Sequence, residues 1–272
     1  MPIIADPNAP APTPPETSTG IDGVLTAYLD PAWAGVLLVA RFGSGVSRVR
    51  FWRGDTLVRS GDWAAAPGGI AVAYDHEAPL GGTGNSWHAE ADTGVISDPV
   101  GLVIVEPSDL SRVWLKSIDN PVLSATFVVS TWPELTYAAR RDVSPLVGSA
   151  YPAISTDIRQ AATSTMTIWT STAAEAESLH TLVDSGVLLL QPTAETHRGD
   201  SYISMGDLVQ ADAGVPQNQQ RLWTLPLTSI ARPATTDQRL RVPGRSYADR
   251  YAKYPTYGDV PTRTYLGALI GS

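Results

Sequence analysis

The sequence predicts a mainly β protein with an α+β second half. An N-terminal immunoglobulin- or fibronectin-III-like β-sandwich is followed by an antiparallel sheet or barrel with one packed helix. Three observations predict this. Between Val24 and Val105, short runs of strand-forming residues are separated by Gly and Pro turn signals about every ten residues. The one clear helix signal is Thr172-x-x-Glu175, a capping box that satisfies two orphan amide donors, followed by apolar residues at helical spacing. Around it, Asp157 to Pro233 reads as strand, helix, strand, strand, strand, which is one helix laid on an antiparallel sheet.

Four segments follow in order. Residues 1–21 are expected to be an extended arm, because Pro2, Pro7, Pro10, Pro12, Pro14 and Pro15 favour polyproline conformation: a flexible tail in a free chain, or, in an assembly, a tail laid along a neighbour with Ile3 and Ile4 as its apolar anchors. Residues 22–107 form the sandwich. Its strands are expected at Val24–Leu29, Val36–Phe42, Ser47–Arg53, Thr56–Ser60, Ile70–Glu77, Asn85–Asp92 and Gly101–Glu106. In Ser47–Arg53, Val49 and Phe51 face one way while Arg48, Arg50 and Trp52 face the other.

Residues 108–235 form the sheet domain, introduced by apolar runs at Val113–Leu115 and Thr126–Val129. A long loop between Ser130 and Thr156 carries Arg140-Arg141, read as a solvated pair or a salt bridge. Loops of that length inside a domain are usually functional or paired with another chain. One long strand is expected over Asp157–Thr170, with Ile158, Ala162, Met166 and Ile168 on one face. The helix is expected over Ala173–Ser185, stopped by Gly186, with Ala176, Leu179, Leu182 and Val183 as its buried stripe. Val187–Gln191 reads as a strand buried on both faces. Ser201–Val209 and Arg221–Ile230 follow, Pro226 placing the last at an edge or bulge.

Residues 236–272 form a Tyr-rich arm. Tyr247, Tyr251 and Tyr254 recur at helical spacing, and Tyr257 lies just beyond. A solvent-exposed tail is rarely this aromatic, so these four tyrosines are the candidate subunit interface. The plainer alternative packs the arm on its own domain.

Composition narrows the function. A formal charge of −8 argues against a nucleic-acid binder, which needs a basic face to neutralise phosphates. There is no cysteine, hence no disulfide and no thiolate metal site. No run approaches 18 apolar residues, so no membrane span is expected. The first 40 residues hold no Lys or Arg and no apolar core, so no signal peptide is expected either.

His76 in Asp-His-Glu and His88 in His-Ala-Glu could approach a metal, but neither spacing matches a ligand frame, and exposed strand ends gather such residues. Gly199-Asp200-Ser201 lacks a nucleophile elbow and reads as a turn. Gly81-Gly82-Thr83-Gly84 has no Lys and opens no helix, so it is no phosphate loop. No catalytic residue, cofactor or metal is therefore assigned, and no enzyme activity is expected. The eight tryptophans are spread one per strand or loop, as core anchors are. Trp52 and Trp63, in polar surroundings, are candidates to stack on a cell-wall glycan.

The runs "DIRQAATSTMTIWTSTAAEAESLHTLVDSGVLLLQP", "YISMGDL" and "QQRLWTLPLTSIARP", with the ending "ADRYAKYPTYGDV", resemble minor tail proteins of long-tailed phages infecting actinobacteria. The likeness covers roughly residues 110–265, where strand, short helix, "LLLQ" strand and "W-x-L-P" strand follow in the same order. It implies a tail-tube-like second domain that oligomerises in a three- or six-fold ring at the distal tail tip. The partners it implies are copies of the chain, the tail tube and other tail-tip proteins. It implies a virion protein, made in the host cytoplasm, that joins tube to host-recognition parts. The alternative is a glycan-binding module attaching the virion to the host cell wall.

Overall fold

Two sets of alternating apolar residues build two cores. The protein, a computed structural model, is described over residues 16–81, 85–145, 147, 150, 152–214, 219–234 and 242. The first core is enclosed by β1 (Thr17–Thr19), β2 (Leu25–Asp30), β3 (Gly35–Arg41), β4 (Arg48–Arg53), β5 (Thr56–Leu57), β6 (Ala64–Ala65), β7 (Ile70–Asp75), β8 (Ser86–Ala91) and β9 (Val100–Gly101). One sheet runs β1-β2-β3-β7; the other runs β5-β4-β8-β9, with β6 beside β4. The chain leaves the first sheet after β3 and returns to it at β7, the cross-sheet connection of an immunoglobulin or fibronectin-III-like sandwich. Val49, Phe51, Trp87 and Leu38 fill the space between the sheets. The expected fourth strand shortens to Thr56–Leu57 because Val58 turns into the core and Arg59 turns toward Glu77. The seventh shortens to Val100–Gly101, leaving beyond it only the bridge between Gly81 and Ile104.

The second core lies inside a closed barrel of six antiparallel strands. The elements are β10 (Arg112–Ser117), β11 (Ala125–Thr131), β12 (Arg141–Ser144), β13 (Ala153–Thr156), β14 (Thr163–Thr170), α1 (Ala173–Val183), β15 (Leu188–Gln191), β16 (Ser201–Met205), β17 (Val209–Asp212) and β18 (Arg221–Ile230). The order is β14-β11-β10-β15-β16-β18, and pairing of β18 with β14 closes it. Every second residue points inward: Val113 and Leu115, Phe127 and Val129, Met166 and Ile168, Leu188 and Leu190, then Trp223, Leu225 and Leu227. Leu179 and Leu182 of α1 complete this core, with Ala176 and Val183 packed at its margin. Thr172 Oγ1 accepts from the Glu175 amide at 3.1 Å. The Glu175 carboxylate reaches one residue further back than the expected box, to the amide and hydroxyl of Ser171.

Four expectations change here. The sheet is not confined to Asp157–Pro233, since β10 and β11 supply two of its strands. The long strand over Asp157–Thr170 is only Thr163–Thr170, and Ile158 is 76% exposed. The helix ends at Val183, two residues before the expected Ser185, and Gly186 then takes a left-handed φ of +100°. Pro226 lies not at a sheet edge but inside β18, where that strand exchanges one neighbour for another: residues 221–224 pair with β17 and 227–230 with β16. A residue without an amide hydrogen fits such a seam.

The outer face of β10 and β15 presses on the sandwich, so Trp114 joins the first core. Lys116 is fully buried there, and its ammonium donates to the carbonyls of Ala34 at 2.7 Å and His76 at 2.9 Å. Gln191 Nε2 donates to the Ala78 carbonyl at 3.0 Å and to Asp200 at 2.7 Å. Glu77 accepts from Arg59, from Arg232 at the end of β18 and from the Tyr202 hydroxyl. Beside it, Asp75 accepts from Arg53 and from the indole of the buried Trp87. This junction ties the two cores together by polar contacts sealed from water.

Candidate functional site

Between β11 and β14 the chain makes an excursion that touches neither core. Reciprocal backbone bonds between Thr136 and Thr163 start it, and bonds from Gln160 to Ala138 and from Asp157 to Arg140 carry it to the β12–β13 ladder. Every described residue from Glu134 to Ala161 is exposed. The leg from Thr136 to Ser144 extends about 30 Å at the rise of a β-strand. The expected loop between Ser130 and Thr156 therefore holds both paired strands of a ribbon, and the expected start of the long strand, Asp157 to Ala162, continues its return leg.

The ribbon is apolar where solvent would favour polar residues. Leu135, Tyr137, Val143, Val147, Ile154 and Ile158 all stand exposed. Val143 and Ile154 sit opposite one another in the ladder and so share a face, 47% and 59% exposed. Arg140 reaches Asp157 at 4.0 Å, an exposed pair that adds little stability. An isolated two-stranded ribbon is marginal in water, and clustered exposed aliphatics mark a contact surface.

A second unpartnered feature lies on the barrel. Among the described residues, β17 pairs with β18 on one side only. Its Val209 and Ala211 lie on the outer face, and from Ala211 a transverse row runs through Leu222 and Trp169 to Val128. Trp169 is 38% exposed and Val209 57%. On the opposite side, a groove of about 480 Å³ separates β17 and β18 from α1, lined by Ala176, His180, Gln210, Gln219, Arg221 and Trp223.

The acid–base groups concentrate at the junction, not in an open cleft. His76 is buried there, correcting its reading as part of an exposed strand end; burial lowers it to about 4, so its imidazole is neutral. Burial would raise Glu77, but hydrogen bonds from Arg232 and Arg59 outweigh it and hold the carboxyl at about 2. Burial pushes Lys116 down to about 7 against the attraction of Asp75 and Asp200. These groups are walled in by both cores, and their geometry holds domains together. Among the described residues, no three His, Asp or Glu side chains are grouped as metal ligands. Gly199 and Asp200 lie between β15 and β16, where Asp200 accepts from Gln191.

Trp52 and Trp63 both lie half-buried beside the solvent-facing side of the β4–β8 sheet. Trp52 stacks against His88 across the strands, and the Arg50 guanidinium sits 4.2 Å over the Trp63 ring. Tyr247, Tyr251, Tyr254 and Tyr257 lie outside the described residues. Sequence reasoning singled out the ribbon's position as a long loop but not its apolar display; the aliphatic residues recurring through that loop, Leu135, Val143, Val147 and Ile154, were the signal available.

No protein-family model matches this chain, and no curated protein matches it. Among the described residues, no helix is long and apolar enough to cross a membrane.

Proposed function

We propose that this chain is a structural subunit of a phage virion, a minor tail protein in the ring or hub at the distal tail tip. The barrel domain forms the ring with copies of itself, and the sandwich decorates it, joining tube to host-recognition parts. The observation that carries this reading is the ribbon: about 30 Å of paired backbone, exposed throughout, with aliphatic side chains and no core of its own. Among the described residues nothing covers this element, which suits it to a contact with another chain. The motif order from Asp157 to Pro233 supplies the virion context. The work done is mechanical, through rigid joining of domains at the Glu77 and Lys116 junction. Immunogold labelling of assembled particles tests the location: label at the distal tail tip is expected, and particles without the chain overturn the assignment.

A second reading, adhesion to a cell-wall glycan through the sandwich, is favoured by the Trp52, His88, Arg50 and Trp63 face. Those rings already stack on neighbours within the chain, which places this reading second. Glycan-array binding abolished by Trp52→Ala would promote it.

A further inference from the structure

The ribbon needs a receiving surface, and the open edge of the barrel sheet provides one. We propose that β12 of one copy adds as a further strand to the free edge of β17 in a second copy. This rests on the assembly reading of the ribbon and names its partner.

Three observations meet in this pairing. The backbone donors and acceptors on the outer side of β17 have no partner strand among the described residues, and β12 likewise pairs only with β13. Open edges recruit strands by β-augmentation. The apolar outer face beside β17, with Val209, Ala211, Leu222 and Trp169, stops abruptly at that edge, while the ribbon carries Val143 and Ile154 side by side on one face. Laid alongside, the ribbon continues the apolar surface by two strands. The third observation is the register. In an antiparallel alignment with Val143 opposite Val209, Arg141 falls opposite Ala211 and Asp142 opposite Gln210. Arg140 then falls opposite Asp212, on the groove side of the sheet. Shifting by two residues, to Val143 opposite Ala211, sets Asp142 against Asp212, and like charges directly opposed are unfavourable. Apolar match and charge match thus select the same register.

Donor and acceptor are different surfaces of one chain, so the contact is head-to-tail. Repeated, it closes a ring when the rotation closes.

The absence of native cysteine permits a direct test. Full-length chains carrying Val143→Cys, Val209→Cys or both are treated with oxidant or a short thiol cross-linker. The double variant should give a ladder of covalent oligomers, and a mixture of the two single variants should give dimers. Neither single variant alone should cross-link, and Val143→Cys mixed with Ile96→Cys, exposed on the sandwich, should not. Self-linkage of Val143→Cys would mean ribbon-to-ribbon pairing and would overturn the proposal. Oligomers that form without any 143–209 link would overturn this docking place while leaving the assembly reading intact. A chain that stays monomeric at every concentration would overturn both.

Discussion

The domain junction and the ribbon reverse the usual distribution of side chains in opposite senses. At the junction, Glu77, Asp75 and Lys116 are buried with hydrogen bonds on their charged groups, and the buried Gln191 donates through its Nε2. On the ribbon, Val143, Ile154 and Ile158 are apolar and in water. The junction's ion pairs and Lys116 bonds are made within one chain, so their loss weakens the fold itself. The ribbon's apolar residues find no cover among the described residues, so on the assembly proposal changes there should leave folding alone and act on association. On that proposal, stability and assembly fall on different residues.

Four variants would break or sharpen that contrast. The largest effect is expected at the junction, where Glu77→Leu leaves Arg59 and Arg232 facing each other without their carboxylate. Breaking a buried ion pair from one side costs about 3–5 kcal/mol, read by denaturant unfolding; an unchanged midpoint would remove the junction from the account. Leu179→Ala tests the barrel core, where truncating a fully buried leucine costs about 2–5 kcal/mol. A loss below that range would mean that α1 rides on the barrel without completing its core.

Lys116→Met tests the sign of the junction electrostatics. The folded chain holds this ammonium at about 7, whereas an unburied lysine keeps its proton to 10.5. Between those values the unfolded chain carries more protons, so the lysine's contribution to stability rises with pH through that window. The stability of the native chain relative to Lys116→Met should therefore climb from about pH 7 toward 10.5 and flatten well below 7. A difference that is level across the window would contradict the burial argument. The smallest effect is expected on the ribbon: at a concentration where both chains are monomeric, Val143→Asp with Ile154→Asp should change the unfolding free energy by no more than about 0.5 kcal/mol, as exposed substitutions do.

Much of the fold was legible from local pattern. Thr172 and Glu175 announced the helix start because capping is a contact between neighbours in sequence. Val187–Gln191 was recognised as doubly buried because Leu188 and Leu190 enter the barrel while Leu189 and Gln191 meet the sandwich, leaving no face that tolerates charge. A sheet or barrel was legible, but not which strands close it, since closure depends on β18 serving three neighbours, and only Pro226 hinted at the exchange. The Asp75-His76-Glu77 triplet looked like an exposed strand end because Arg232, which makes its burial tolerable, lies 155 residues away. Ile158 was assigned to a buried face because alternation predicts a strand but says nothing about whether the chain itself supplies the partner.

The central claim is that the ribbon's partner is another chain, and the mass of the purified protein in solution tests it most directly. Light scattering across a concentration series should give a multiple of 28.9 kDa for the intact chain, falling to 28.9 kDa for Val143→Asp with Ile154→Asp at unchanged circular dichroism. An intact chain that remains at 28.9 kDa at all concentrations, or a double variant that assembles as the native chain does, would contradict it.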